Sequence, residues 1–166
     1  MTFGRSGGTP ALPTIVDMTR TERPARPEAA DDDPAVRSVM STHLVGIVPG
    51  ASLQVALQLM VARHVRHLPV VDGPADRRCH RMVAETDVLR GLVASRGPFG
   101  TASLHVDDVA RTAGVVRPGD RLSDAARVMH ETGADAVLVE DRGELTGIVT
   151  AGDVVAAAAR VLPTHR

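Results

Sequence analysis

Short apolar runs alternate along the chain with stretches in which apolar residues recur every three or four positions. The short runs predict buried strands, and the spaced residues predict helices with one apolar face. In the first part of the chain the predicted strands cover residues 45–48, 67–71 and 81–85, and the predicted helices begin after Ser52 and cover residues 86–95. Because Pro69 cannot donate to a ladder, its strand is predicted to lie at a sheet edge, or Pro69 to lie near the strand start.

The same pattern returns after a break at residues 96–100. Pro118-Gly119 repeats Pro49-Gly50, and the apolar helix face repeats at the same displacement along the chain. The repeated helix positions are Leu53, Ala56 and Met60 in the first half and Leu122, Ala125 and Met129 in the second. Either half alone is too small to bury a hydrophobic core that would make it stable by itself. The sequence therefore predicts an α+β fold in which two β-α-β-β-α repeats pack sheet to sheet with pseudo-twofold symmetry.

The last predicted strand is followed by a hydroxyl side chain, Thr150, and then by an acid, Asp153, where the next helix is predicted to begin. The first amide groups of a helix lack intrahelical partners, so a helix N-terminus attracts polar or anionic ligands. A hydroxyl and a carboxylate three positions apart at such a junction would grip a diol such as ribose. The alternative is an ordinary cap, since Asp is a favoured N-cap residue. The last helix is predicted from about Asp153 to Val161.

The amino-acid composition limits the kinds of function that the protein can have. Apolar residues make up 43% of the chain but aromatic residues only 1%, so the core must be aliphatic. A net charge of -1 gives no indication of a nucleic-acid or membrane partner. No apolar run approaches the ~18 residues of a membrane helix, and the N-terminus lacks the apolar stretch of a signal peptide. The single cysteine, Cys79, excludes an internal disulfide and is typical of a reducing, cytoplasmic location.

The sequence divides the chain into five parts. Residues 1–34 are rich in Gly, Pro, Thr, Arg and acidic residues, which predicts a disordered arm, with a partner-binding tail as the alternative. The other parts are a first repeat at residues 35–96, a linker at 97–104, a second repeat at 105–162 and a tail at 163–166.

The duplicated pattern resembles a tandem pair of CBS domains, the arrangement called a Bateman module. The resemblance extends over residues 35 to 162 and rests on four stretches. They are Val48-Pro49-Gly50 with Leu53 and Met60, His64 through Asp72, Arg117-Pro118-Gly119 with Leu122 and Met129, and Gly147 through Asp153. The resemblance implies a regulatory module, not an enzyme, that senses AMP, ADP, ATP or S-adenosylmethionine between the repeats, with or without magnesium and with no required cofactor. Apolar residues on the predicted long helices, including Leu57, Val128 and Met129, exceed what two small repeats need internally and suggest a homodimer, which is common in the family. A protein target in trans is expected because no catalytic or transport domain is fused to the repeats.

For the second repeat the resemblance implies a complete binding site. Thr150 and Asp153 hold the ribose. The adenine slot is formed by Val115, Val116, Gly147 and Ile148. Arg66 and His67 of the opposite repeat face the phosphates, since Arg suits bidentate phosphate contact. The alternative for these two is an ordinary solvent-facing pair.

The first repeat departs from this pattern at the equivalent junction. Ala84 stands in place of the hydroxyl and Arg81 in place of the glycine. Asp87 remains without its partner, and Asp135 faces the site, where it would repel a phosphate. Losing one hydrogen bond costs about 0.5–1.5 kcal/mol. The sequence therefore predicts one competent site and one degenerate site at Asp87.

Two alternative functions remain. A chain that keeps the fold but has lost ligand binding would be a dimerising scaffold for other proteins. Cys79 and His80, with His64 and His67 upstream, would make the module metal-responsive because thiolate and imidazole suit zinc. Their spacing matches no closed four-ligand motif, however, and a surface loop is the favoured interpretation. The sequence gives no indication of an enzyme, because it shows neither a nucleophile–base pair nor paired carboxylates at an obvious cleft.

Overall fold

The computed structural model describes residues 14–18, 32–73, 76–95 and 103–161. The helices are α1 (Val36–Val39), α2 (Leu53–Arg63), α3 (Glu85–Ser95), α4 (Val106–Val109), α5 (Leu122–Thr132) and α6 (Ala151–Val161). The strands are β1 (Ile15–Asp17), β2 (Val45–Ile47), β3 (His67–Val70), β4 (Arg81–Ala84), β5 (Arg111–Thr112), β6 (Val115–Val116), β7 (Ala136–Asp141) and β8 (Glu144–Thr150). The predicted repeat is confirmed, because β2-α2-β3-β4-α3 recurs as β6-α5-β7-β8-α6. Within the described residues, none of the helices has the length and apolar character that a membrane span requires.

The strands form two sheets that pack face to face. One has the order β1-β2-β3-β4-β5 and the other β6-β7-β8. In each half the first and second strands of the repeat are parallel, and the second and third are antiparallel. Leu44, Val71 and Met82 of the first half pack with Leu138 and Ile148 of the second in one buried cluster. The predicted sheet-to-sheet packing is therefore confirmed.

The long helices cover the outer faces of the two sheets. The repeated apolar positions of α2 lie in one outer core with Leu68 and Val83, and those of α5 lie in a second with Val137 and Val149. Ser52 caps α2 as predicted, since its side chain accepts a hydrogen bond from the Val55 amide at 3.3 Å. The layers run helices, sheet, sheet, helices, so the interior between the sheets is the place where the halves meet.

The two shortest helices cross to the opposite half. Val36 of α1 is fully buried in the core beneath α5, and Val106 of α4 is fully buried in the core beneath α2. After α1 the backbone continues along the second sheet, where Ser41 pairs with Ile148. We call residues 40–44, which lead from α1 to β2, the crossing segment. Each repeat therefore completes its core with a short helix that the other repeat supplies.

The arm predicted as disordered over residues 1–34 contains a strand. Ile15–Asp17 forms β1, which pairs antiparallel with β2. Val16 and Met18 are buried between the sheets, with 1% and 2% exposure. The prediction is wrong for residues 14–18, because a few apolar residues suffice to add an edge strand without altering the polar composition around them. Most of the remaining arm lies outside the described residues.

Pro69 lies in an inner strand, so the predicted edge position is wrong. The sheet tolerates it because the parallel ladder between β2 and β3 has a single partner pair, Ile47 with Val70. A longer ladder would need the amide proton that proline lacks.

Candidate functional site

A pocket of about 390 Å³ opens between the two halves, and we call it pocket A. From the second half it is lined by Ile148 and by the β8–α6 junction at residues 150–153. From the first half it is lined by the segment that leads into β2 and by residues 64–67 at the start of β3. Pocket A therefore brings together five of the residues proposed from the sequence, namely Arg66, His67, Ile148, Thr150 and Asp153.

Thr150 and Asp153 form a closed turn at the start of α6. The Thr150 amide and hydroxyl both donate to Asp153 Oδ2, each at 2.8 Å, and the Asp153 amide donates to Thr150 Oγ1 at 3.4 Å. This is the reciprocal arrangement of a capping box, and it explains why α6 begins at Ala151 rather than at Asp153. Only Oδ2 of the carboxylate takes part, so among the described residues Asp153 Oδ1 has no partner and remains free to accept from a diol.

The opposite wall of pocket A carries a His–carboxylate hydrogen bond and an ion pair. His67 Nε2 lies 2.7 Å from Asp135 Oδ1, and Arg66 Nε donates to Glu85 Oε2 at 3.0 Å. Burial alone would raise the pKa of the Asp135 carboxyl, but the hydrogen bond from His67 and the nearby charges of His67 and Arg66 hold that pKa below its ordinary value. Asp135 is therefore ionised at neutral pH, and the imidazole donates to it.

Three of the residues predicted for an adenine slot do not line pocket A. Val115 lies on β6 at the edge of the second sheet, and Val116 is buried beneath α5 and α6. Gly147 lies beside the crossing segment, where a Cβ atom would come within 2.7 Å of the Met40 sulfur and 3.1 Å of the Ser41 carbonyl oxygen. The role of Gly147 in this structure is thus to let the crossing segment pass close to β8.

The apolar wall of pocket A comes instead from the first half. Leu44 and Val45, at the start of β2, line it together with Ile148. His43 and His64 add two imidazoles to the lining. Sequence reasoning missed these residues because the resemblance implied an adenine slot built from strands of the second repeat alone, and no local pattern indicates that the chain after α1 brings the start of β2 beside β8.

A second pocket of about 330 Å³, pocket B, lies at the junction of β4 and α3. It is lined by Ala84 and Asp87 of the first half and by Arg111 of the second. Arg111 Nη2 lies 2.7 Å from Asp87 Oδ1, and Arg90 Nη1 lies 3.7 Å from the same oxygen. The carboxylate that would meet a ribose is thus already paired with guanidinium groups, and Ala84 supplies no hydroxyl beside it.

Cys79 and His80 do not form a metal centre in the described part of the chain, where no group of three or more His, Cys, Asp or Glu residues is placed to hold an ion. The buried Cys79 thiol donates to the carbonyl oxygens of Val70 and Arg81 at 3.3 and 3.0 Å. Burial raises the pKa of this thiol despite the two hydrogen bonds. His80 is exposed and lies 3.4 Å from Glu140 Oε1. The thiol therefore stays protonated, which is unfavourable for zinc ligation.

Comparison with protein families gives two matches on this chain. The family model described as the CBS domain matches residues 36–94 and again residues 106–160. A curated relative, an uncharacterized protein of Methanocaldococcus jannaschii, is 28% identical over 105 residues, which cover 63% of this chain and 35% of that protein. The chain thus spans about a third of the length of that relative.

Solved structures extend the likeness to both repeats together. The structure of CBSX2 in complex with AMP is 31% identical with a TM-score of 0.61, covering 76% of this chain and 97% of that one. The structure of Hypoxic Response Protein I with two coordinated zinc ions is 29% identical with a TM-score of 0.60, covering 78% of this chain and 100% of that one. The AMP and the zinc ions are those of the two similar proteins.

Proposed function

The chain belongs to the CBS-domain family, as a tandem pair of these domains, and on that premise we propose that it is a regulatory module that binds an adenosine-containing ligand in pocket A. The proposed ligands are AMP, ADP, ATP or S-adenosylmethionine, with or without magnesium. The proposal rests on one observation: Thr150 and Asp153 of one half line the same pocket as Arg66 and His67 of the other. Pocket B is proposed to be weak or empty.

The ribose contact is supported by the geometry of the α6 turn. Asp153 Oδ1 would accept from a ribose hydroxyl while Oδ2 continues to cap the helix. A hydrogen bond to a charged group contributes about 1.5–3 kcal/mol, so this contact is large enough to decide whether a nucleoside binds. Leu44, Val45 and Ile148 supply the apolar surface against which we propose that the adenine lies.

The phosphate contact is supported by the cationic side of the pocket. Arg66 is 65% exposed, and its ion pair with Glu85 is one of the kind that contributes only about 0.2–1 kcal/mol. A phosphate would draw the guanidinium away at small cost, because a charge-assisted bidentate contact is stronger. The likeness to CBSX2, a protein seen in complex with AMP, favours AMP as the first ligand to test.

We propose that binding regulates a separate protein target by shifting the angle between the halves or a dimer interface, since a ligand acts only through different affinity for two states. Apolar side chains on the outer helices support a homodimer. Val61 on α2 and Leu89 and Val93 on α3 are exposed. Nothing in this scheme requires catalysis, a nucleic acid, a membrane or a resident cofactor.

Thermal denaturation with each of the four ligands tests the proposal. At a hundred times its dissociation constant a ligand stabilises by about 2.7 kcal/mol, which raises the Tm of a protein of this size by about 5–10 °C. Asp153→Ala should remove most of the rise and leave at most the small part that a weak pocket B contributes, whereas Asp87→Ala, the matched change in pocket B, should keep the rise. The Tm without ligand reports the separate loss of the helix cap, which costs about 1 kcal/mol.

The second candidate is a scaffold that no longer binds ligand. One observation favours it: Thr150 and Asp153 already satisfy each other in a capping box and need no ligand for that role. A Tm that rises with none of the four ligands would exclude the sensor and leave the scaffold. Equal rises in wild type and Asp153→Ala would place the ligand elsewhere.

A further inference from the structure

Pockets A and B meet at one hydrogen-bonded pair of side chains. His67, the first residue of β3, and Asp135, which directly precedes β7, each line both pockets. The His67 side chain is only 7% exposed, whereas that of Asp135 is 53% exposed. A change in the hydrogen bond of this pair therefore alters the lining of both pockets. Of the two side chains, the buried imidazole is the one that the surrounding structure holds in place.

The hydrogen bond of this pair cannot be shared with a ligand. His67 Nε2 lies 2.7 Å from Asp135 Oδ1, and a ring nitrogen carries a single proton to donate. A phosphate that recruits Nε2 in pocket A must take that proton from the hydrogen bond with Asp135. The Asp135 carboxylate then loses its hydrogen-bond donor, and its negative charge acts more strongly on the lining of pocket B.

The other cations of pocket B are unaffected by this change. Arg111 and Arg90 are both directed at Asp87, with Arg111 in direct contact at 2.7 Å. Because they attract an anion in pocket B equally whether pocket A is empty or occupied, Asp135 is the group whose effect on that anion differs. A neutral nucleoside in pocket A needs no proton from His67, and the affinity of pocket B for a neutral nucleoside would not depend on the charge of Asp135.

We propose that the His67–Asp135 pair couples the two pockets, so that an anionic ligand in pocket A weakens the binding of an anion in pocket B, and the reverse. This rests on the proposed function, because it assigns a role to the pair only when pocket A binds a phosphate-bearing adenosine ligand. Linkage makes the effect reciprocal, and couplings of this kind typically change affinity about 5- to 150-fold. The module would then carry one nucleotide at a time over a wide range of concentration.

Isothermal titration with AMP and with adenosine tests the coupling in the wild type, Asp153→Ala, Asp135→Asn and the double variant. The Asp153→Ala chain reports how AMP binds pocket B when pocket A is disabled. We expect the second AMP to bind the wild type at least about fivefold more weakly than that value. In the Asp135→Asn background the ratio should fall to about one, and for adenosine it should be about one throughout. Asp141→Asn, which removes an exposed carboxylate outside both pockets, is the control and should keep the wild-type ratio.

The nitrogen resonances of the His67 imidazole give a readout that also serves if pocket B binds AMP too weakly to titrate. AMP should shift the Nε2 signal in the wild type, and adenosine should not. An unmoved signal, or an unchanged ratio in Asp135→Asn, overturns the coupling while leaving pocket A as a nucleotide site. If neither AMP nor adenosine binds the wild type, the proposed function and the coupling are both overturned.

Discussion

Replacing Val36 by Ala should destabilise the second half of the molecule, although Val36 belongs to the first half in sequence. Its side chain is 0% exposed and packs with Val116, Leu122 and Ala125. Removing two buried carbons costs about 1.6 kcal/mol, and the cavity left behind raises the loss of unfolding free energy to about 2–3 kcal/mol. For a protein of this size, that loss corresponds to a fall in Tm of about 4–12 °C.

Hydrogen–deuterium exchange followed by mass spectrometry would locate the effect of this substitution. Local opening raises exchange in the segment that loses its packing. We therefore expect the larger increase in α5 and a smaller one in α2. Val106→Ala is the matched control, because Val106 is equally buried in the core beneath α2 and should give the opposite pattern. If Val36→Ala increased exchange chiefly in α2, the reasoning from crossed helices would be refuted.

Two further changes probe the pocket and the buried thiol. Gly147→Ala should weaken ligand binding in pocket A, because its Cβ would push against Met40 and Ser41 on the crossing segment, whereas at Gly119 a Cβ meets nothing within 4 Å; equal AMP affinities in Gly147→Ala and Gly119→Ala would contradict this. Cys79 should react with iodoacetamide at pH 8 more slowly than glutathione does, because burial raises the pKa of its thiol and leaves less reactive thiolate, and denaturant should remove the difference. A native rate equal to that of glutathione would show that the thiol is accessible and ionised.

The sequence was sufficient where the information is local. The spacing of Leu53, Ala56 and Met60 and its repetition in the second half predicted the order of elements, because amphipathic helices and short apolar strands each have their own period. The β8–α6 junction at residues 150–153 was likewise identified from adjacent residues. What the sequence left open there is which of two roles dominates, since a capping box and a ribose contact use the same two side chains.

The sequence was insufficient to predict which of two similar repeats a short segment packs against. Val36 and Val106 lie in four-residue helices with the same pattern, and nothing local indicates that each packs in the other repeat. The adenine slot that the resemblance implied at Val115 and Val116 likewise differs from the structure, in which the apolar wall of pocket A contains Leu44 and Val45. The strand at residues 15–17 escaped prediction for the same reason, because its stability comes from pairing with β2 and not from its own composition.

The exchange of the short helices also determines when each repeat can fold as the chain is synthesised. Val36 leaves the ribosome about 85 residues before Leu122, the start of its partner helix, which is a delay of about 4–17 s at about 5–20 residues per second. During that interval the first repeat has no α4 to close its own core and holds an α1 that has nothing to pack against. The smallest piece of nascent chain that can fold to completion is thus the whole pair, and a ribosome that stalled between the repeats would expose the unfilled core beneath α2 and the unpacked apolar side of α1 to chaperones.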